Sequence, residues 1–369
     1  MQLNCGIVGL PNVGKTSIFS ALTSTPMDIQ NYPFSTTDSN VGIVIVPDER
    51  LKRISEIIVP KKIIYTTVEF VDISGLVRGS SKGEGLGNQF LGKIRQVGVI
   101  IHVVRCFDDD NIIHVEGSVD PIRDIETIEL ELALADMESV QKRLDNLGKS
   151  LRSSDKKVSE KAKLMEPILH DLLNVLNEGK PARSLNLTEE QASLVADLFL
   201  ITMKKQIYCC NVDEKGAIEE NDYVKKVKEY AKTNGSEVVS ICGKLEADLA
   251  EFETPEEKLE FLQAAGLKES GLDKLIRAGY NALELQTYFT AGEKENRAWT
   301  FYKNSLAPQA AGVIHSDFER GFIRAEVYHC EDLFQYGSEH KVKEAGKMRL
   351  EGKTYVVKDG DVMHFRFNV

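Results

Sequence analysis

Short apolar runs rich in β-branched residues recur along the chain: 3–9 (LNCGIVG), 41–46 (VGIVIV), 65–73 (YTTVEFVDI), 97–107 (VGVIIHVVRCF), 206–212 (QIYCCNV) and 237–242 (EVVSIC). Each is largely apolar on both faces, the pattern of a parallel strand covered by helices on both sides. Helical periodicity fills most of the intervals. The pattern predicts an α/β fold with a doubly wound, mainly parallel sheet.

The interval 120–200 breaks this rhythm. Val140, Leu144, Leu147 and Leu151 recur at spacings of 4, 3 and 4, and Val158, Ala162, Met165, Leu169, Leu172 and Leu176 continue the seam beyond the polar turn Arg152-Ser153-Ser154-Asp155. Two helices joined by so short a turn run antiparallel, which predicts a coiled-coil arm. After about residue 283 the runs become short and alternating, as in 322–328 and in 354–367, the latter expected to fold back at Asp359-Gly360. The expected division is a sheet domain over 1–125 and 201–282, a helical coiled-coil insert over 126–200, and a small α+β domain over 283–369.

Composition narrows the partners. Forty-six Lys and Arg against fifty-seven Asp and Glu give a net charge of -11, so no global basic field draws in nucleic acid. No DNA partner is expected, and any RNA contact must use a local patch. The six cysteines form no C-x-x-C pair and read as reduced core thiols. No apolar run is long enough to span a membrane, and the amino end has neither a basic region nor a cleavage site, so a cytoplasmic protein without a membrane partner is expected.

The chemistry concentrates in Gly9-Leu10-Pro11-Asn12-Val13-Gly14-Lys15-Thr16. Two glycines let successive backbone N–H groups face an anion, and the helix opening at Lys15 adds its positive end. Lys15 supplies charge to the outer phosphates, and the Thr16 hydroxyl suits a phosphate-bound Mg2+. Asn12, Val13, Gly14, Lys15, Thr16 and Ser17 are therefore candidate nucleotide contacts. Asp72-Ile73-Ser74-Gly75 closes the run 65–73. Coming after this loop and after the Thr-containing segment 31–37, it matches the switch order of P-loop NTPases, with Asp72 near the metal and Gly75 sensing the γ-phosphate. Thr36 is the candidate second magnesium ligand and Thr37 its rival.

Where GTPases carry Asn-Lys-x-Asp, this chain has Asn211-Val212-Asp213-Glu214. Asp at the fourth position accepts from guanine N1–H and its amino group together; Glu, one methylene longer, falls out of register. Charge-assisted hydrogen bonds contribute about 1.5–3 kcal/mol each, so losing the pair would cost guanine more than tenfold in affinity. Taken alone, the stretch also reads as a polar strand end.

Together GLPNVGKT, NYPFSTT, DISGLVRGSSKGEGLGNQFLGKIR, NVDE and APQAAGVIHSDFERGFIRAEV resemble the YchF family of Obg-like ATPases, from nearly the first residue to the last. The resemblance implies a P-loop NTPase domain, a coiled-coil insert, a C-terminal TGS domain of β-grasp type, and ATP favoured over GTP. It implies ribosome association and a role in translation or stress response. By position it puts Asn211 and the backbone around Val212 at the base, with Ser240, Cys242 and their loop packing beneath it and Glu214 at the specificity position.

Leu76 stands where small GTPases place the water-orienting glutamine, and leucine cannot orient water. Two substitutes are candidates. Asn12 matches the asparagine with which related NTPases hold K+ beside the phosphates. His114, in DDDNIIHVEGSVD, would handle water if its loop folds inward; it otherwise reads as a solvated loop residue. His102, inside an apolar run, reads as a hydrogen-bonded core residue.

The leading expectation is a slow, magnesium-dependent ATPase switch, acting as a monomer and contacting ribosomal RNA. The alternatives are a GTP-binding translation factor and a nucleotide-gated RNA-binding module with incidental hydrolysis. Local basic excess lies at the arm tip, where residues 141–164 hold eight basic and three acidic side chains, and at 341–358, with six against two.

Overall fold

The computed structural model describes residues 3–24, 40–73, 86–252 and 254–368. In chain order the first half runs β1 (Asn4–Val8), α1 (Lys15–Thr23), β2 (Val41–Ile45), α2 (Glu49–Ile57), β3 (Ile63–Ile64), β4 (Thr67–Asp72), α3 (Leu86–Arg95), β5 (Val99–Arg105), α4 (Pro121–Leu151) and α5 (Lys156–Asn177). It continues through α6 (Glu189–Val195), β6 (Lys205–Asn211), α7 (Glu214–Ile218), α8 (Asp222–Asn234), β7 (Glu237–Ile241), α9 (Gly243–Ala250), α10 (Pro255–Ala264) and α11 (Gly271–Ala282). The last stretch carries β8 (Leu285–Thr290), β9 (Asn296–Tyr302), α12 (Ala307–Ile314), α13 (Ser316–Arg320), β10 (Phe322–His329), α14 (Cys330–Tyr336), α15 (Glu339–Glu344), β11 (Arg349–Glu351) and β12 (Asp361–Phe367).

The apolar runs become the first sheet, ordered β2-β4-β1-β5-β6-β7, with β1–β5, β5–β6 and β6–β7 parallel. Every residue of β5 is buried, as a central strand covered on both faces requires. One covering layer packs Val104, Cys106, Tyr208 and Cys210 of the sheet against Val224, Val227 and Ala231 of α8. All six cysteines are buried and unbridged.

α4 and α5 form the arm. Val140, Leu147, Ala162, Met165, Leu169, Leu172 and Leu176 share one apolar cluster, with Leu144 and Leu151 packed against it. Val158, expected in the seam, is exposed, because it lies in the first turn of α5 beside the polar turn. Asp120 caps α4 by accepting from Ile122 and Arg123 N–H, with Pro121 at the first turn, and Asp155 caps α5 by accepting from Lys157 N–H.

Contacts divide the chain into two units. One is built on Phe70–Leu275 with the amino-terminal residues; the other joins Ile43–Glu69 to Ile276–Val369. Residues 43–69, which local pattern had assigned to the first domain, thus fall with the C-terminal residues: β3 pairs with β9, and Leu51 and Ile54 pack with Phe289, Tyr328 and Leu333. The second unit's sheet is ordered β11-β10-β12-β8-β9-β3 and mixes antiparallel pairs with a parallel β12–β8 pair.

The expected hairpin over 354–367 does not form. β12 pairs with β10 and β8 instead, while Val357 N–H donates to Ser305 O and Ala307 N–H to Tyr355 O. The turn at Asp359 is held from elsewhere in the unit, since its carboxylate accepts from Thr287 N–H at 2.8 Å and from Arg50 at 2.6 Å.

Candidate functional site

Because β1, β5, β6 and β7 run parallel, the segments after them emerge at one edge of the sheet, where α/β folds of this order bind ligands. The eight-residue glycine loop follows β1, the loop carrying His114 follows β5, Asn211-Val212-Asp213-Glu214 ends β6, and Cys242-Gly243-Lys244 follows β7.

In the glycine loop Asn12 and Gly14 take positive φ, 62° and 97°. A Cβ at Gly14 would sit 2.2 Å from Asn211 Nδ2, so only glycine fits there. Among the described residues no side chain caps α1, so its first N–H groups are available to an anion. Lys15 is buried, and its Nζ donates to Leu10 O at 2.7 Å, folded back over the loop. Thr16 and Ser17 are exposed in the first turn.

Asp72 ends β4 with only 8% of its surface exposed, and its buried Oδ1 has no hydrogen-bond partner among the described residues. Burial pushes the Asp72 carboxyl above its ordinary range, opposed by the charges of Lys15 and Lys93. Burial likewise pushes the Lys15 ammonium down, opposed by Asp72. A buried carboxylate oxygen without a donor, beside a buried ammonium, fits a bound cation with phosphate oxygens. Thr36, its rival Thr37, Gly75 and Leu76 lie outside the described residues.

On the base side, Asn211 is buried. Its Nδ2 donates to Val13 O at 3.0 Å and its Oδ1 accepts from Gly243 N–H at 3.2 Å. The side chain expected against the base therefore braces the glycine loop to the loop after β7. Val212 is buried, with its N–H on Ile241 O. Glu214 is exposed and forms an ion pair with Lys244 at 2.7 Å. Ser240 is half-buried in β7 beside Cys210. Cys242 precedes α9, and burial pushes its thiol up.

His114 is not a solvated loop residue. Its side chain is 5% exposed, Nε2 lies 2.8 Å from Asp124 Oδ2, and Nδ1 accepts from Glu116 N–H at 3.1 Å. Arg123 holds the other carboxylate oxygen of Asp124 at 3.1 Å. The preceding carbonyl, Ile113 O, accepts from Asn12 Nδ2 at 3.2 Å, so the two residues proposed for hydrolysis sit on segments that are tied together. His102 is a core residue, hydrogen-bonded to Gln206 at 3.1 Å and pushed down to about 3 by burial and the Lys15 charge.

Sequence reasoning missed Asp124 as the seat of His114, Lys244 as the partner of Glu214, and Arg105. Only the last left a local signal, a charged residue inside a largely apolar run.

A family model described as "50S ribosome-binding GTPase" matches residues 4–151, and a YchF-GTPase C-terminal model described as "Protein of unknown function" matches 285–368. The chain is 55% identical over 371 residues to the ribosome-binding ATPase YchF of Bacillus subtilis (strain 168), and 51% identical over 369 residues to that of Escherichia coli O157:H7, with all chains covered in full. The structure of the Schizosaccharomyces pombe YchF GTPase is similar with a TM-score of 0.88 and 40% identity, over 99% of this chain and 98% of that one.

Proposed function

The chain belongs to the YchF family, and from that premise we propose that it is a ribosome-binding ATPase working as a nucleotide-dependent switch. The observation that carries the reading is the phosphate cradle: a loop needing glycine at position 14, a buried lysine folded over it, and at Asp72 a buried carboxylate oxygen with no donor among the described residues. Thr16 and Asp72 would hold Mg2+, with Thr36 or Thr37 as a further ligand. The ion's part is to neutralise phosphate charge. Gly75 would sense the γ-phosphate. Asn12 through Ser17 would meet the phosphates, while Val212, Ser240 and Cys242 would line the base side behind the Asn211 brace.

Glu214 favours adenine. Its carboxylate is already engaged by Lys244 and is one methylene too long for guanine's paired donors. ATP is expected to bind at least several-fold more tightly than GTP with magnesium present, and Glu214→Asp to narrow that gap. Isotherms for both nucleotides test this, and equal affinities in the unaltered protein would sink the adenine reading. A GTP-specific switch is the second reading, favoured by the word GTPase in the names of the matched model and the fission-yeast structure. Turnover measured with and without ribosomes separates a regulated switch from an RNA-binding module whose hydrolysis is incidental.

His114 or a K+ ion held by Asn12 Oδ1 would replace the missing glutamine. The Asn12 amide, with Nδ2 donating to Ile113 O, keeps Oδ1 for a cation. His114→Ala is expected to lower the single-turnover rate by tenfold or more, within the ~10²–10⁴ range of general acid–base catalysis, with ATP affinity nearly unchanged. Exchange of potassium for sodium is expected to slow the same step. A rate indifferent to both changes assigns the chemistry to a partner. The monomeric, cytoplasmic protein would meet ribosomal RNA through its basic patches; no described helix is long and apolar enough to cross a membrane.

A further inference from the structure

We propose that Arg105 is a positioning residue for hydrolysis: its buried guanidinium fixes the pivot from which His114 reaches the terminal phosphate. The inference rests on the reading of His114 as the group that handles water.

Arg105 ends β5 and is only 2% exposed. Its guanidinium donates from Nε to Phe107 O at 3.1 Å, from Nη1 to Ile112 O at 2.8 Å and from Nη2 to Asp109 O at 3.0 Å. It also lies 4.9 Å from the centre of the Phe107 ring. Among the described residues no carboxylate pairs with it. Residues 107–112 thus form a hoop drawn around one planar cation, tightened by Ile112 N–H donating to Asp109 O and by Asn111 donating to Asp109 Oδ1.

A buried charge compensated by carbonyls and one ring rather than by a carboxylate is a costly way to glue a loop, because an apolar side chain continuing the strand would avoid the desolvation. What the guanidinium offers instead is direction. Its donors form a rigid fork that reaches three carbonyls at once, which the ammonium of lysine cannot reproduce.

The hoop ends at Ile112. The next carbonyl, Ile113 O, is held by Asn12 of the phosphate loop at 3.2 Å, and the next side chain is His114. Both ring nitrogens of His114 are engaged, one with Asp124 and one with Glu116 N–H. To act on water the imidazole has to leave Asp124, and the residue about which it swings is held by Arg105 on one side and by Asn12 on the other. Arg105 therefore sets its reach without touching substrate.

The test is single-turnover ATP hydrolysis by the full chain carrying Arg105→Lys, His114→Ala or both. Since a misplacement of about 1 Å can cost on the order of a hundredfold in rate, Arg105→Lys is expected to slow hydrolysis by roughly tenfold to a hundredfold, with the ATP Kd unchanged within about twofold. In the His114→Ala background the same substitution is expected to do nothing further, because residues acting as one unit are not additive. Effects that multiply, or an unchanged rate in Arg105→Lys, would overturn the proposal while leaving the role of His114 standing. Full turnover in His114→Ala would overturn that role and this inference with it. Should Arg105→Lys fail to fold, Phe107→Leu removes the ring beneath the guanidinium at a half-buried loop position. The same loss of rate and the same non-additivity are expected of it, and additivity there overturns the proposal equally.

Discussion

Lys15→Ala is expected to weaken ATP binding about a hundredfold and to leave adenosine binding almost untouched. Lys15 opens α1 at the foot of the glycine loop, buried, with Nζ on Leu10 O. A bound triphosphate offers that ammonium charged oxygens in place of one neutral carbonyl. Charge-assisted hydrogen bonds contribute about 1.5–3 kcal/mol each, and every 1.4 kcal/mol is about tenfold in affinity. Two such bonds to the outer phosphates, less the carbonyl bond given up, come to about 3 kcal/mol. Burial already works against the Lys15 ammonium, so an anion beside it also offsets that desolvation cost, and the two effects reinforce each other. Adenosine has no phosphate and gains from neither. Calorimetric titration with ATP, ADP and adenosine reads the difference. If all three weaken alike, the substitution has disturbed the loop as a whole and Lys15 does not act on phosphate.

The sheet was legible because a strand buried on both faces needs no distant information. The runs at 97–107 and 206–212 are largely apolar on both faces, and β5 and β6 formed within two residues of their limits. The arm was legible for a similar reason, since a sustained heptad seam on either side of a short turn has one solution. Residues 43–69 were not, because what captures α2 and β3 is Phe289, Leu333 and the edge of β9, more than two hundred residues further along the chain. At the site, the glycine loop packs its chemistry into eight adjacent residues, and its motif therefore survives in one dimension. The contacts that refine it do not. Asn211 bracing Val13 to Gly243, Glu214 paired to Lys244 and His114 seated on Asp124 each depend on a side-chain direction chosen only after the strands are aligned. Motif position placed Asn211, Glu214 and His114 near the site without fixing which atoms they would meet.

At the arm tip, changing Arg152, Lys156 and Lys157 together to Glu is expected to abolish most of the salt-dependent ribosome affinity. Of the eight basic residues between 141 and 164, Arg143 is tied to Asp197 at 2.5 Å. The other seven are exposed, and none has an ion pair among the described residues. A solvated coiled coil carries lysines on its outer face for free, so their presence alone decides nothing. Their placement is more informative. Lys156 and Lys157 are the first two residues of α5, whose first turn has no acidic side chain, and cations there oppose the helix dipole. Intramolecular electrostatics would have put carboxylates at those positions, so a polyanion outside the protein accounts for the charges better than the fold does. Each phosphate neutralised contributes roughly 0.7 to 0.9 to the log–log salt slope. Losing three contacts should therefore flatten the slope by about 2 to 3 units, with the affinity deficit greatest at low salt. The same helix end supplies the control. Glutamates at 156 and 157 suit the dipole, so thermal stability should hold or rise while binding falls. Unchanged affinity and slope would leave the tip a solvated end, and a loss of binding that tracks a loss of stability would point to unfolding of the arm.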